Sequence, residues 1–137
     1  MKVVVTGVAG FIGYHVTKKL ILNNYKVIGI DNINNYYDIR LKKKRLENLR
    51  KLSKNFYFEK IDLRNFKNLK KVFLKHKIDK VIHLAAQAGV RYSLKNPRSY
   101  VENNIDAFFN IIEISRIFNI KNFVYASSSS IYGANKN

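Results

Sequence analysis

Short runs of β-branched and aromatic residues recur along the chain, each bounded by polar residues or glycine. Runs of this length and composition are typical of strands in the middle of a sheet, where both faces are covered. The first of them reads KVVVT. The pattern predicts five strands, at residues 2–6, 26–31, 55–62, 80–85 and 122–127.

Between these strands, apolar residues recur every three or four positions, which is the period of a helix with one buried face. The predicted helices are residues 11–23, 38–52, 65–76 and 98–119. In the first helix we expect Ile12, Val16 and Leu20 to face the core. In the last helix the predicted buried face consists of Val101, Ile105, Phe108, Ile112 and Phe118.

The alternation of strands and helices predicts an α/β protein with a parallel sheet, helices on both faces and right-handed connections. A length of 137 residues is enough for one core but not for two, so we expect a single domain over residues 1–137. The longest predicted loop, residues 86–97, follows the carboxyl end of a strand. Doubly wound sheets bind their ligands at that edge.

The formal net charge of +17 leaves two interpretations open. Clustered lysine and arginine attract polyanions, which would favour a nucleic acid or an anionic membrane as partner. The densest basic stretch, residues 40–54, also carries leucines at near-helical spacing, which is typical of a helix with a solvated outer face. We expect the second interpretation to hold, with neither nucleic acid nor membrane as a partner.

The chain contains no cysteine, which excludes disulfides, thiolate metal ligands and cysteine nucleophiles. Its three histidines are scattered without the spacing of metal ligands, so we expect no metal site. No apolar run approaches the ~20 residues that span a bilayer, and the start of the chain does not read as a signal peptide. We therefore expect a cytoplasmic protein.

Three glycines, Gly7, Gly10 and Gly13, lie where the first strand turns into the first helix. Missing side chains let a diphosphate approach the backbone, and the helix N-terminus offers free N–H groups and the positive end of its dipole. Asp31 ends the second predicted strand, 24 residues after Gly7, as in dinucleotide-binding folds. Its carboxylate would bind the adenosine ribose hydroxyls and repel a 2′-phosphate, which predicts NAD rather than NADP.

Several segments together resemble the extended short-chain dehydrogenase/reductases that act on nucleotide sugars. They are TGVAGFIG (6–13), DN (31–32), DL (62–63), HLAAQAGVRYS (83–93), NN (103–104) and YASSSSIYG (125–133). Within that family, GIDNINNYYD, AAQAGVRYS and SSSSIYG are similar to signatures of UDP-glucuronate 4-epimerases. The resemblance implies a Rossmann-like doubly wound sheet of five strands in the order 3-2-1-4-5, truncated before the substrate lobe.

The resemblance also implies NAD as cofactor and identifies the residues that would contact it. They are Gly7, Gly10, Phe11, Ile12 and Gly13 for the diphosphate, Asp31, Asn32 and Asn35 for the adenosine ribose, Asp62 and Leu63 for the adenine, Leu84, Ala85 and Ala86 for the nicotinamide side, and Asn104 for the helix and loop around it. Structural interpretations stay open, since Asp62 could cap the next helix, the alanines could serve packing, and Asn104 could bond backbone.

The serine run after the last strand is the predicted substrate site. By resemblance, Ser128 would hydrogen-bond the reacting sugar hydroxyl, while Ser129 and Ser130 replace the acidic pair of the family's dehydratases. Dehydration requires an acid and a base, which neutral hydroxyls do not readily supply. The two serines could instead hold a sugar carboxylate, and Arg91 is a candidate cation for the substrate. A local turn for the serines and a surface position for the arginine remain alternatives.

The family's base is the tyrosine of a Y-x-x-x-K pair on a helix beyond the serines. Two strings match that spacing, Tyr14 to Lys18 and Tyr132 to Lys136, but neither lies at the required position. We therefore expect an N-terminal fragment that binds NAD without turnover, within an enzyme that acts on a UDP-hexuronate as a homodimer. A non-catalytic NAD-binding fragment, a 4-epimerase of a neutral sugar, a decarboxylase and a dehydratase remain alternatives.

Overall fold

A computed structural model of the protein describes residues 1–134, apart from the side chain of Ser129. The strands are β1 (Lys2–Thr6), β2 (Lys26–Asp31), β3 (Phe56–Lys60), β4 (Lys80–His83) and β5 (Asn122–Tyr125). The helices are α1 (Phe11–Leu22), α2 (Ile39–Leu52), α3 (Phe66–His76), α4 (Val90–Lys95), α5 (Pro97–Tyr100) and α6 (Ala107–Ile117). A π-helical stretch, Val101–Asp106, joins α5 to α6, and Ser129–Tyr132 form a 3₁₀ turn.

The five strands form one parallel sheet in the order β3-β2-β1-β4-β5, which confirms the predicted topology. The central strand β1 pairs with β2 from Lys2 to Thr6 and with β4 from Val3 to Thr6. The strand order reverses between β1 and β4, because the chain crosses there from one half of the sheet to the other. A crevice opens at such a switch point, on the carboxyl edge of the sheet.

Two helical layers cover the sheet, which explains why β1 is apolar at successive positions. Val3 and Val5 pack with residues of α1 and α2 on one face, whereas Val4 packs with residues of α3 and α6 on the other. Successive side chains of a strand point to opposite faces, so a strand buried on both sides needs an unbroken apolar run. The buried helical residues are Ile21, Leu46 and Leu49 in the first layer and Leu69, Val72, Phe73, Ile111 and Ile114 in the second.

The predicted buried face of α1 was wrong by one position. Ile12 is 60% exposed, and Val16 and Leu20 are only half-buried. The buried stripe is Gly13, Thr17 and Ile21 instead. The reason is the close approach of Gly13 to the β1–α1 turn, which turns the neighbouring Ile12 toward solvent.

The predicted face of helix 98–119 was also out of phase. Val101, Ile105 and Ile112 are exposed, while the buried residues of α6 are Ala107, Ile111, Ile114 and Ser115. The π-helical stretch has hydrogen bonds from i to i+5, so a regular helical period extended through it no longer matches the face of α6. Phe108 and Phe118 are half-buried against the core, as predicted.

The predicted loop 86–97 was wrong in part, because α4 occupies Val90–Lys95. None of the residues of α4 is buried, so an apolar period could not indicate it. Strands β3, β4 and β5 also end two residues earlier than predicted. The residues beyond those ends leave the sheet and form the loops at its carboxyl edge.

Candidate functional site

The turn from β1 to α1 packs directly against the loop that follows β4. Gly7 has a φ of +68°, and a Cβ on it would come within 2.9 Å of backbone atoms of Ala85. A Cβ on Gly13 would come within 2.1 Å of the Gly7 carbonyl oxygen. Neither position accommodates a side chain. Bare backbone therefore forms the floor of the crevice between β1 and β4.

The N-terminus of α1 has the features of an anion-binding site. The N-cap residue Gly10 provides no side-chain acceptor, and the first turn of the helix contains no acidic residue. The side chains of Phe11 and Ile12, the first residues of the helix, are exposed. The backbone N–H groups of this turn and the positive end of the helix dipole are thus suited to a diphosphate.

Asp31, at the end of β2, is anchored by backbone N–H groups. Its Oδ2 accepts a hydrogen bond from Ala9 at 3.1 Å, and its Oδ1 accepts one from Ile33 at 2.9 Å. Each carboxylate oxygen has a second lone pair, which can accept from a ribose hydroxyl. Asp31 lines the crevice together with Gly7 and Gly10.

Lys42 of α2 also lines the crevice, although the sequence did not single it out. It is only 4% exposed, and its Nζ donates to the carbonyl oxygen and the Oδ1 of Asn34 at 2.8 and 2.6 Å. Its ammonium lies 4.3 Å from the ring centre of Tyr37. Burial lowers the pKa of Lys42, and the nearby Asp31 carboxylate opposes that shift. The available signal was its position in the helical stripe shared with the buried Leu46.

Arg45, three residues further along α2, fixes the glycine turn from the other side. Its Nη1 donates to the Ala9 carbonyl oxygen at 3.0 Å and to the Tyr37 hydroxyl at 3.1 Å. The Tyr37 hydroxyl donates to the same carbonyl oxygen at 3.1 Å, and burial raises the pKa of this tyrosine. Ala9 is therefore held by Asp31 at its N–H and by Arg45 and Tyr37 at its carbonyl.

Asp62, assigned to the adenine, is engaged with Arg64. Its Oδ1 accepts from the backbone N–H and the Nε of Arg64, and its Oδ2 accepts from Arg64 Nη2 and Asn32 Nδ2, at 2.8 to 3.3 Å. The hydrogen bond from the Arg64 side chain holds the pKa of Asp62 below its usual range. These contacts use four lone-pair positions, so accepting a bond from an adenine amine would require one of them to be released.

Thr6 fixes the start of the loop after β4. Its Oγ1 accepts from the N–H groups of Leu84 and Ala85 at 3.0 and 3.1 Å, and it lies 2.8 Å from Nδ1 of His83. Because two donors occupy its lone pairs, the Thr6 hydroxyl donates to Nδ1 of a neutral imidazole. Burial lowers the pKa of His83 to about 4, which keeps the ring neutral.

Asn104 fixes the end of the same loop. Its Oδ1 accepts from the Gln87 N–H at 2.7 Å, and its Nδ2 donates to the Gln87 carbonyl oxygen at 3.0 Å. Asn104 belongs to the π-helical stretch that precedes α6. It thus reaches the crevice through Gln87, which is itself a lining residue.

One crevice brings together most of the residues assigned to NAD. It is lined by Gly7, Gly10, Asp31, Asn32, Asp62, Leu63, Leu84, Ala85 and Ala86. Asn35 lines an adjoining polar cavity beside Tyr36 and Tyr92. Most of these residues come from the carboxyl ends of four adjacent strands, β1 to β4, and the loops after them. An extended ligand with a diphosphate over the glycine turn and ribose hydroxyls at Asp31 fits this arrangement.

The residues assigned to the substrate lie apart from the crevice. Within residues 1–134, its lining includes neither Arg91 nor Ser128. Arg91 is exposed on α4, and Ser128 and Ser130 are exposed at the 3₁₀ turn after β5. The Ser128 Oγ accepts from the Ser130 N–H at 3.2 Å, which is a local turn contact. The side chain of Ser129 lies outside the described part of the chain.

The two tyrosines with a lysine four residues later stand apart from the crevice lining in the described residues. Tyr14 packs against the core between the sheet and the layer of α1 and α2. Tyr132 is 74% exposed, and Lys136 lies outside the described residues. In the same range, no cluster of histidine, aspartate or glutamate is arranged to hold a metal ion. None of the helices described here has the length and apolar composition that crossing a membrane requires.

Comparison with known proteins relates the whole chain to nucleotide-sugar enzymes. A family model described as GDP-mannose 4,6 dehydratase matches residues 4–137. Protein CapI of Staphylococcus aureus is 55% identical over 98% of this chain and 40% of its own length. A UDP-glucuronate 4-epimerase of Thermodesulfobacterium geofontis is 51% identical over 93% of this chain and 39% of its own.

A solved structure is similar over the full chain. The UDP-glucuronic acid 4-epimerase of Bacillus cereus, in complex with UDP-glucuronic acid and NAD, superimposes with a TM-score of 0.89 at 37% identity. The match covers 100% of this chain and 43% of the Bacillus protein. The chain therefore spans about two fifths of the length of the relatives it matches.

Proposed function

The chain belongs to the extended short-chain dehydrogenase/reductases, in the GDP-mannose 4,6 dehydratase family, and from that premise we propose that it is the NAD-binding part of a UDP-glucuronate 4-epimerase. The observation that carries the proposal is the crevice at the switch point between β1 and β4. It combines the glycine turn, Asp31 and the fixed loop after β4. The Bacillus cereus relative, which was solved with UDP-glucuronic acid and NAD, supports the choice of ligands.

Each part of the crevice suits one part of NAD. The glycine turn and the start of α1 would bind the diphosphate through backbone N–H groups, and Asp31 would accept from the adenosine ribose. Lys42 has a third N–H donor besides the two that Asn34 accepts, and this donor could also serve the ribose. Ala85 and Ala86 would let the nicotinamide lie against the backbone.

Besides binding NAD, this part of the enzyme would have to bind the reacting end of the sugar. When bound, NAD would take the hydride from C4 of the sugar and return it to the opposite face. Ser128 would hydrogen-bond the 4-hydroxyl as its proton leaves. A C5 carboxylate makes the 4-keto sugar prone to lose CO₂, so Ser129 and Ser130 would hold that carboxylate in place. Neutral hydroxyls there also favour epimerisation over dehydration.

The reaction also needs a base that takes the proton of the 4-hydroxyl, and we do not assign that base to this chain. Tyr14 packs against the core and Tyr132 is exposed, and neither lines the crevice within residues 1–134. We propose that turnover requires a tyrosine and a lysine from a further part of the enzyme. That part would also supply most of the UDP site.

The proposal is tested in two steps. The purified chain should bind NAD in a calorimeter but should not convert UDP-glucuronate. Joined to the C-terminal part of the Thermodesulfobacterium geofontis relative, it should interconvert UDP-glucuronate and UDP-galacturonate without net consumption of NAD. A chain that does not bind NAD would contradict the cofactor assignment, and a chimera that prefers UDP-glucose would contradict the substrate assignment.

A further inference from the structure

Two cations of α2 lie near Asp31. Lys42 lines the crevice beside that carboxylate, and Arg45 binds the carbonyl of Ala9, whose N–H binds Asp31. Lys42 is buried and Arg45 is half-buried, whereas the residues between them, Lys43 and Lys44, are exposed. A spacing of three residues places Lys42 and Arg45 on one side of the helix. One carboxylate and one cation therefore line the crevice, and a second cation contacts the glycine turn next to them.

The contacts of these cations leave donors for a further anion. Asn34 accepts from two of the three N–H donors of Lys42 Nζ, and Arg45 uses Nη1 alone for both of its contacts. The Arg45 guanidinium and the Asp31 carboxylate bind the same residue, Ala9, the first at its carbonyl and the second at its N–H. Both cations are thus fixed close to the carboxylate by hydrogen bonds to the protein.

We propose that Lys42 and Arg45 form a latent site for a phosphate on the 2′-oxygen of an adenine nucleotide, and that Asp31 alone keeps this site closed. The inference rests on the proposed function, which places the adenosine ribose at Asp31. An ionised Asp31 both neutralises one cation and repels the phosphate. Without its charge, the two cations lack a counter-ion, and a phosphate monoester with a charge of about −2 at neutral pH would provide one.

This arrangement changes what the sequence predicts about cofactor choice. An arginine directly after Asp31 would indicate NADP, and Asn32 stands there instead. The structure brings an arginine of α2 to the carbonyl of Ala9, next to Asp31, where its distance along the chain conceals it. The preference for NAD then depends on one carboxylate rather than on a lack of phosphate ligands.

The test compares NAD and NADP binding by calorimetry, with the whole chain at low ionic strength. Asp31→Asn keeps the shape of the side chain and removes its charge. We expect this variant to bind NADP about tenfold more tightly than the native chain does. A gain of that size corresponds to one charge-assisted hydrogen bond. Adding Lys42→Met or Arg45→Met to it should remove most of that gain. Adding Lys43→Met, a matched control on the exposed side of α2, should leave the gain intact.

Each outcome bears on the proposal. It is overturned if Asp31→Asn binds NADP no better than the native chain, if the gain survives both methionine substitutions, or if the control removes the gain equally. A native chain that binds neither nucleotide refutes the proposed function itself, and this inference with it. If Asp31→Asn does not fold, Asp31→Ser, which also removes the charge, replaces it. The same gain in NADP binding is expected, and a gain that survives the addition of Arg45→Met and of Lys42→Met would refute the proposal.

Discussion

Individual residues at the crevice differ in how clearly the sequence indicates them. Gly7 and Gly13 follow from the pattern, because glycines at the turn into a helix and in its first turn indicate a positive φ or a close approach of backbone. Lys42 and Arg45 do not, because a helix with many cations gives no composition signal for the one that is buried. Lys42 is buried only because Asn34 satisfies its ammonium, and that contact depends on the path of the preceding loop.

At Gly13, we expect an alanine to destabilise the chain by about 2 kcal/mol or more, because its Cβ would overlap the Gly7 carbonyl oxygen. Denaturant unfolding followed by circular dichroism measures the change in the free energy of unfolding. Lys18→Ala, at an exposed position of the same helix, is the control and should change it little. A loss at Gly13 as small as that of the control would show that the turn can relax.

We expect His83 to make the free energy of unfolding depend on pH. An unfolded histidine takes up a proton near pH 6.5, whereas burial lowers the pKa of His83 in the folded chain to about 4. The unfolded state therefore binds more protons between these values, and the free energy of unfolding should fall by about 3 kcal/mol as the pH drops from 6.5 to 4. In His83→Asn, which keeps an acceptor for Thr6, this part of the pH dependence should disappear. The exposed His15→Gln should retain it.

At the scale of elements, buried parallel strands are the most predictable part of this fold. Their β-branched runs are continuous because both faces are covered, and all five were found at the predicted places. The carboxyl ends of β3, β4 and β5 were overestimated because the residues that follow them, such as Leu84 and Ala85, are apolar as well. The π-helical stretch could not be predicted, since its contacts to the distant loop after β4 stabilise it rather than a local pattern.

We expect Asn104 to stabilise the loop after β4 more than its neighbour Asn103 does. Asn104→Ala removes both hydrogen bonds to the Gln87 backbone and leaves those groups partly buried, so we expect a loss of about 1–3 kcal/mol in stability. Hydrogen exchange at the Gln87 amide should accelerate, and NAD binding should weaken. Asn103→Ala is the control, because its amide bonds Ser99 on the preceding turn. Equal effects of the two substitutions would mean that the helix, rather than the loop, is affected.

At the scale of the whole molecule, the side of the sheet formed by β5 and α6 leaves apolar residues exposed to solvent. The edge strand β5 leaves Val124 and Tyr125 about half exposed, and the adjacent α6 exposes Phe109 and Ile112. Parallel sheets are normally covered on both faces, and exposed apolar residues such as Ile112 and Tyr125, which line one shallow groove, are typical of a contact site. The relatives, which are more than twice as long, have further chain available to cover such a surface.

The isolated chain should therefore self-associate as its concentration rises. Sedimentation velocity over a wide concentration range measures this. Val124→Lys places a charge in the exposed edge strand, and we expect it to shift the chain toward the monomer. Leu74→Lys, at an equally exposed leucine on α3, should have no such effect. A native chain that remains monomeric throughout would show that the surface is inert.

The central position of β1 has a consequence for synthesis on the ribosome. One neighbour, β2, begins at Lys26, but the other, β4, begins only at Lys80. During translation, β2 and β3 can assemble on one side of β1 first, and the other edge of β1 stays unpaired until three helices and two strands have emerged and β4 follows. The crevice needs both sides of β1, so we expect the nascent chain to bind the proposed nucleotide only after β4 and its loop have left the exit tunnel.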